Sequence, residues 1–129
     1  APLATDALER VRATVEALER TATPEVLPDG LDRDFHRSIA QLTGNEYLAS
    51  LVEPLWDTIE QALYTTLRKR NWTVEHTERT AKEHRAIYEA LRAGDVELAA
   101  FATERHLRGL MAVLFEDDAV DGPPPRFFA

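Results

Sequence analysis

No cysteine occurs in the 129 residues, which excludes disulfides and thiolate metal sites together. Any metal must then be held by histidine and carboxylate, and the redox compartment stays open. Nor does any apolar run approach the roughly 20 residues of a membrane span. The start, APLATDALERVRAT, lacks the basic, apolar and small-residue sections of a secretory signal. A soluble, cytoplasmic chain is the expectation. Positive charge is also scarce: 15 Lys and Arg against 23 Asp and Glu give a formal net charge of −8. That balance repels nucleic acid unless a basic patch is segregated, and the one dense basic run is Arg68-Lys69-Arg70. Direct DNA binding by this chain is disfavoured. There is no glycine-rich phosphate loop, no G-x-S-x-G elbow and no H-E-x-x-H. No stretch alternates apolar and polar residues long enough for a strand, so the pattern is all-α.

What is present fits one domain: 44% of the residues are hydrophobic, enough for a real core at this length but not for two comfortable ones. The chain begins with Ala rather than Met, which suggests a processed product or part of a longer polypeptide. Its organising stretch is Glu83 to Leu107. Ala81, Ile87, Tyr88 and Leu91 give one apolar stripe at helical spacing; Leu98, Ala99, Ala102, Leu107 and Leu110 give a second. Between them, Gly94 suits the left-handed end of a helix and Asp95 the cap of the next, with Glu97 in its first turn. The spacing predicts an antiparallel helical hairpin. At about 1.5 Å per residue, His84 and His106 stand roughly 14 and 16 Å from its bend, nearly level with one another.

Upstream, Thr5 or Asp6 opens a first helix with Glu9 in a capping arrangement, and Leu8, Val11, Val15 and Leu18 form its seam. Residues 23–30, with two prolines and a glycine, read as a loop within the domain. A helix from Leu31 to Thr43 carries Phe35, Ile39, Ala40 and Leu42 inward and ends at Gly44, with Asn45 capping the next. From Glu46 to about Arg70, apolar residues from Tyr47 and Leu48 through Trp56, Ile59, Leu63 and Leu67 predict a long, largely buried helix. Pro54 should kink or break it near residues 50–53. Trp72-Thr73 marks the crossing into the hairpin. The domain plan is a helix and proline-containing loop over 1–30, a core helical domain over 31–116, and an acidic, proline-rich tail over 117–129 whose Phe127 and Phe128 can dock on an apolar groove.

Asp32 and His36, four residues apart, stand on one helical face. A single Asp–His pair near a first turn, or one inward histidine, is usually ordinary structure. With His84 and His106, however, they make an Asp/His/His/His set drawn from three helices, a donor set that suits Zn²⁺, Ni²⁺, Mn²⁺ or Fe²⁺. On a six-coordinate ion two positions remain for water or a chelating carboxylate. His76, turned about 80° from His84 on a continuous helix, is assigned to the surface. Glu83 beside His84 is a conceivable base on a metal-bound water, but it points about 100° away and is read as facing off the metal. Arg33, Arg37, Arg79, Arg85, Arg105 and Arg108 are read as solvated faces. Any of them bordering a cavity would suit a carboxylate bidentately, with Arg33, Arg79 and Arg108 the effector-binding candidates.

Asp32-Arg-Asp-Phe35-His36 followed by Thr43-Gly44-Asn45, then Glu83-His84-Arg-Ala-Ile87-Tyr-Glu-Ala90-Leu91 leading to Gly94-Asp95, then Ala99 to His106-Leu107, resembles in order and spacing the C-terminal effector-binding (FCD) domain of GntR-type, FadR-subfamily transcription regulators. The resemblance covers roughly 31–115. It implies an antiparallel all-α bundle of about six helices with a central metal and ligand cavity. It implies that Asp32, His36, His84 and His106 bind a divalent metal which helps hold a small carboxylate effector. It implies further a homodimer, and DNA binding only through a winged helix-turn-helix domain absent from this chain. The expected function is organic-acid sensing and not catalysis. A small helical-bundle hydrolase or oxygenase with the same Asp/His3 site is the rival, disfavoured by the lack of a placed base. An interaction bundle whose histidines merely fill the core is the third reading.

Overall fold

Five helices are seen in the computed structural model, which describes residues 5–20, 30–59 and 72–115: α1 (Thr5–Arg20), α2 (Leu31–Leu42), α3 (Glu46–Ile59), α4 (Val74–Arg92) and α5 (Val96–Phe115). No strand occurs among the described residues, and none of their helices is long and apolar enough to cross a membrane. Expectations for residues 21–29, 60–71 and 116–129, and for the side chains of Trp56 and Ile59, lie outside the described residues.

Turn chemistry sets the path of the chain. Gly44 and Gly94 take positive φ angles of 72° and 74°, a conformation that costs a side-chain-bearing residue and ends the preceding helix. In the next helix the Asn45 carboxamide oxygen accepts the backbone N–H groups of Tyr47 and Leu48 at 3.0 and 3.2 Å. Asp95 accepts that of Leu98 at 3.0 Å. At the start of α4, Thr73 caps reciprocally with His76. The Thr73 N–H donates to His76 Nδ1 at 3.0 Å, and the His76 N–H donates to Thr73 Oγ1 at 3.4 Å. His76 therefore does more than stand at the surface: it is half-buried and takes the place that glutamate fills in the usual capping box.

α1 packs on α2 and α4, α4 on α5, and α2 on α3. The α1 seam lies inside this bundle: Val11, Val15 and Leu18 are fully buried. Val11 and Val15 meet Phe35, Ile87 and Tyr88, and Leu18 meets Trp72, Ala81 and Val113. Each such aliphatic side chain contributes about 1.5–3 kcal/mol through apolar burial. Across the α1–α4 contact Arg85 holds Glu19 through two bonds of 2.9 and 2.6 Å.

Two readings of the apolar pattern need correction. α3 is not largely buried, since Tyr47, Leu48, Leu51 and Leu55 are exposed, and it is fastened to α2 by charge. Arg33 binds Glu53 and Asp57, both at 2.9 Å, and Arg37 also pairs with Glu53. Helical periodicity says that a stripe exists, not which side of it finds a partner. On α5 the inward line is Ala99, Ala102, His106, Leu110 and Val113, while Leu98 and Phe101 face out. Nor does Pro54 break α3, which runs unbroken from Glu46 to Ile59. Pro54 and Ser50 are both exposed, so the carbonyl that proline leaves without an N–H partner is within reach of water.

This arrangement predicts a contrast between two leucines. Leu18→Ala should lower stability by about 2–5 kcal/mol in urea unfolding, whereas Leu51→Ala should stay within about 0.5 kcal/mol of the parent. A large loss at Leu51 would show that the α3 face is covered after all.

Candidate metal centre

Asp32 and His36 project from successive turns of α2 because they are four residues apart, and Asp32 is placed in a first turn where the helix dipole favours a carboxylate. The Gly94-Asp95 turn folds α5 back on α4, and so sets His84 and His106 level. Their ring centroids are 4.8 Å apart, and the His36 ring lies 5.6 Å from each. One donor atom from each of Asp32, His36, His84 and His106 falls within 4.8 Å of the others. All four sequence-derived donors are thus brought together.

The site is nearly dry. His84 is fully buried, His106 is 2% exposed and Asp32 6%. Asp32 Oδ1 lies 3.3 Å from both His36 Nε2 and His84 Nε2, inside electrostatic reach. Neither contact has the alignment of a hydrogen bond, and Asp32 Oδ1, His84 Nε2 and His106 Nε2 are buried with no hydrogen-bond partner among the described residues. Each such orphaned group costs about 1–3 kcal/mol. Burial alone pushes the Asp32 carboxyl up, but the adjoining His36 and His84 outweigh it and hold the group well below the usual carboxylate range. Burial lowers His84 to about 4, against the opposing pull of Asp32. At neutral pH the consistent state is an Asp32 carboxylate facing a neutral His84, which is the protonation a metal requires of both.

The donor set therefore fits a divalent ion. At bond lengths of about 2.1 Å, ligands on opposite sides of an ion are about 4.2 Å apart, so a set spanning up to 4.8 Å needs only a small contraction. Phe35 stacks on the His84 ring at a centroid distance of 3.8 Å and an interplanar angle of 8°.

Glu83 carries a contact that sequence reasoning missed. It does point away from the donor cluster, but in doing so it crosses to α5, where its Oε1 lies 3.0 Å from His106 Nδ1. The available signal was the 100° step between adjacent helical residues, which turns Glu83 toward whichever helix flanks His84. Beside this pair Gly109 leaves room on α5: a Cβ there would stand 3.7 Å from Glu83 Oε2 and 4.0 Å from Arg79 Nη2. Of the arginines proposed for an effector, Arg33 is engaged with α3 and Arg108 with Glu104 one turn back, at 2.9 Å. Arg108 also lines, with Ala100, Thr103, Glu104 and Leu107, a pocket of about 480 Å³ on the outer face of α5 that none of the four donors borders. Arg79 is exposed on α4 and lies near Gly109, and among the described residues no hydrogen bond or ion pair joins it to any of the four donors.

The buried histidine sets a pH dependence for the metal-free protein. Because the folded-state pKa of His84 is lowered from 6.5 to about 4, the unfolded chain binds more protons between those values, and stability falls as pH drops through that window. The depressed Asp32 extends the loss below 3.8. Urea midpoints of metal-free protein should therefore decrease from pH 6.5 to 4; a midpoint that is flat or rises on acidification would mean that His84 is folded as a cation.

Comparison with known proteins agrees with the resemblance. A family profile described as the FCD domain matches residues 1–109, so α1 belongs to the same unit as the later helices. The chain is similar to the Uxu operon regulator of Haemophilus influenzae, at 29% identity over 93 residues, covering 71% of this chain and 35% of that protein. It is also similar to a protein of Micromonospora viridifaciens named as a transcriptional regulatory protein, NedR, at 37% identity over 82 residues, 60% of this chain and 55% of that protein. This chain thus spans only about a third and about half of the length of these two relatives. No solved structure matches significantly. With most of its length matched, the chain belongs to the FCD domain family.

Proposed function

We propose that this chain is the metal-dependent, effector-sensing domain of a bacterial GntR-type transcription regulator acting in the cytoplasm, and that its effector is a small organic acid. The observation that carries the reading is the convergence of Asp32, His36, His84 and His106 on one point, where Asp32 Oδ1, His84 Nε2 and His106 Nε2 have no hydrogen-bond partner among the described residues. The two relatives named as regulators support a sensing role over an enzymatic one. The rival metalloenzyme would need a free base, and the carboxylate beside His84, Glu83, is engaged with His106.

A bound Zn²⁺, Ni²⁺ or Mn²⁺ would supply a positive charge and open coordination positions. Asp32 and three neutral imidazoles leave a +2 ion with a net +1 in surroundings of low dielectric, which favours an anion over a neutral molecule. The Glu83 charge lies beyond His106 and is partly solvated, so it offsets this only in part. A 2-hydroxy or dicarboxylic acid offers two oxygens and should be preferred to a monocarboxylate. We propose further that the domain works as a homodimer and that DNA is read by a winged helix-turn-helix outside this chain. The α1 seam gives the dimer no support, because it is spent on the chain's own core.

Thermal shift tests the reading. Citrate, lactate-like acids and dicarboxylic acids should raise the melting temperature of protein loaded with Zn²⁺, Ni²⁺ or Mn²⁺ but not of chelator-treated protein. His84→Ala and His106→Ala should each remove most of the metal-dependent gain. Hits dominated by neutral sugars or amines, or gains indifferent to metal removal, would contradict it.

A further inference from the structure

The four donors are not held in place in the same way. The His84 ring is fixed by stacking on Phe35, and its Nδ1 has no hydrogen-bond partner among the described residues. His106 has no such stacking partner in Phe35, but its Nδ1 lies 3.0 Å from Glu83 Oε1. A neutral imidazole carries one N–H and a carboxylate can only accept, so the contact requires the proton on Nδ1. The lone pair of His106 is then left on Nε2, which is buried with no hydrogen-bond partner among the described residues. The Glu83 side chain is 24% exposed, while the ring it holds is 2% exposed.

We propose that Glu83 is a positioning residue for the metal centre: it fixes the tautomer and the rotation of His106 so that Nε2 faces Asp32, His36 and His84. This rests on the metal reading given above and adds to it a fifth residue that does not touch the ion. The contact also joins α4 to α5 at the level of the donors, so the hairpin is clamped where it must be exact in rotation. Where a carboxylate orients a metal-bound histidine, its loss commonly weakens the metal by about tenfold to a hundredfold.

The test uses untagged protein of this chain and Zn²⁺ alone, with affinity read by competition against a chromophoric chelator. Glu83→Ala should weaken zinc by about tenfold to a hundredfold, whereas Glu78→Ala, an exposed glutamate on the same helix, should change it by no more than about twofold. Glu83→Gln keeps an oxygen that can accept from Nδ1–H and should recover most of the loss. In parallel, nitrogen chemical shifts of the His106 ring in metal-free protein should report the Nδ1–H tautomer in the parent and its loss in Glu83→Ala, while circular dichroism checks that the variants fold. Parent-like zinc affinity in Glu83→Ala, or an Nε2–H tautomer of His106 in the parent, overturns the assignment. Failure of the parent itself to bind zinc overturns the metal reading instead, and the tautomer measurement, which needs no metal, still decides whether Glu83 orients His106.

Discussion

Three helices of this protein meet around four polar donors, three of which, Asp32, His84 and His106, keep buried atoms with no hydrogen-bond partner among the described residues. Burying a carboxylate and three imidazoles removes strong hydration, and the 3.3 Å approaches of Asp32 to His36 and His84 return only part of it. At about 1–3 kcal/mol for each orphaned atom, the deficit is of the same order as the whole stability of a small domain. A divalent ion would remove most of it, because Asp32 Oδ1, His84 Nε2 and His106 Nε2 are atoms that could coordinate, whereas His84 Nδ1 would gain nothing from the ion. Placement of α2, α4 and α5 thus answers to one chemical constraint, with α1 supplying the apolar mass behind them through Val11, Val15 and Leu18.

α2 occupies the pivotal position. One side of it presents Asp32 and His36 to the donor cluster, and the residues immediately following each of these, Arg33 and Arg37, reach Glu53 on α3. The helix that holds half of the donor set therefore also holds α3 by charge, and a rotation of α2 that alters one contact must alter the other. Partly exposed ion pairs are individually weak, so α3 is joined less firmly than the helices tied by Phe35, Ile87 and Tyr88.

Much of this was legible from the chain alone, because it rests on local rules. The Gly94-Asp95 and Gly44-Asn45 turns follow from backbone sterics and side-chain capping, and the level match of His84 and His106 follows from helix rise on either side of the bend. What escaped depends on rotation between helices. The exposed stripe of Leu51 and Leu55 and the inward one of Val11 and Val15 look alike in sequence, since both repeat at helical spacing. The Glu83 contact needed to be known across the α4–α5 gap, where a helix-wheel angle says only what a residue leaves. His76 as a cap was hidden by its residue type, although Thr73 three positions earlier was the signal.

One ion is expected at one point defined by α2, α4 and α5. Anomalous diffraction from crystals of zinc-loaded protein, recorded on both sides of the zinc absorption edge, tests it directly. A single strong peak is expected about 2.0–2.2 Å from the Asp32 carboxylate and from Nε2 of His36, His84 and His106. No peak there in zinc-saturated crystals, or one bound through Nδ1 of His106, would contradict it.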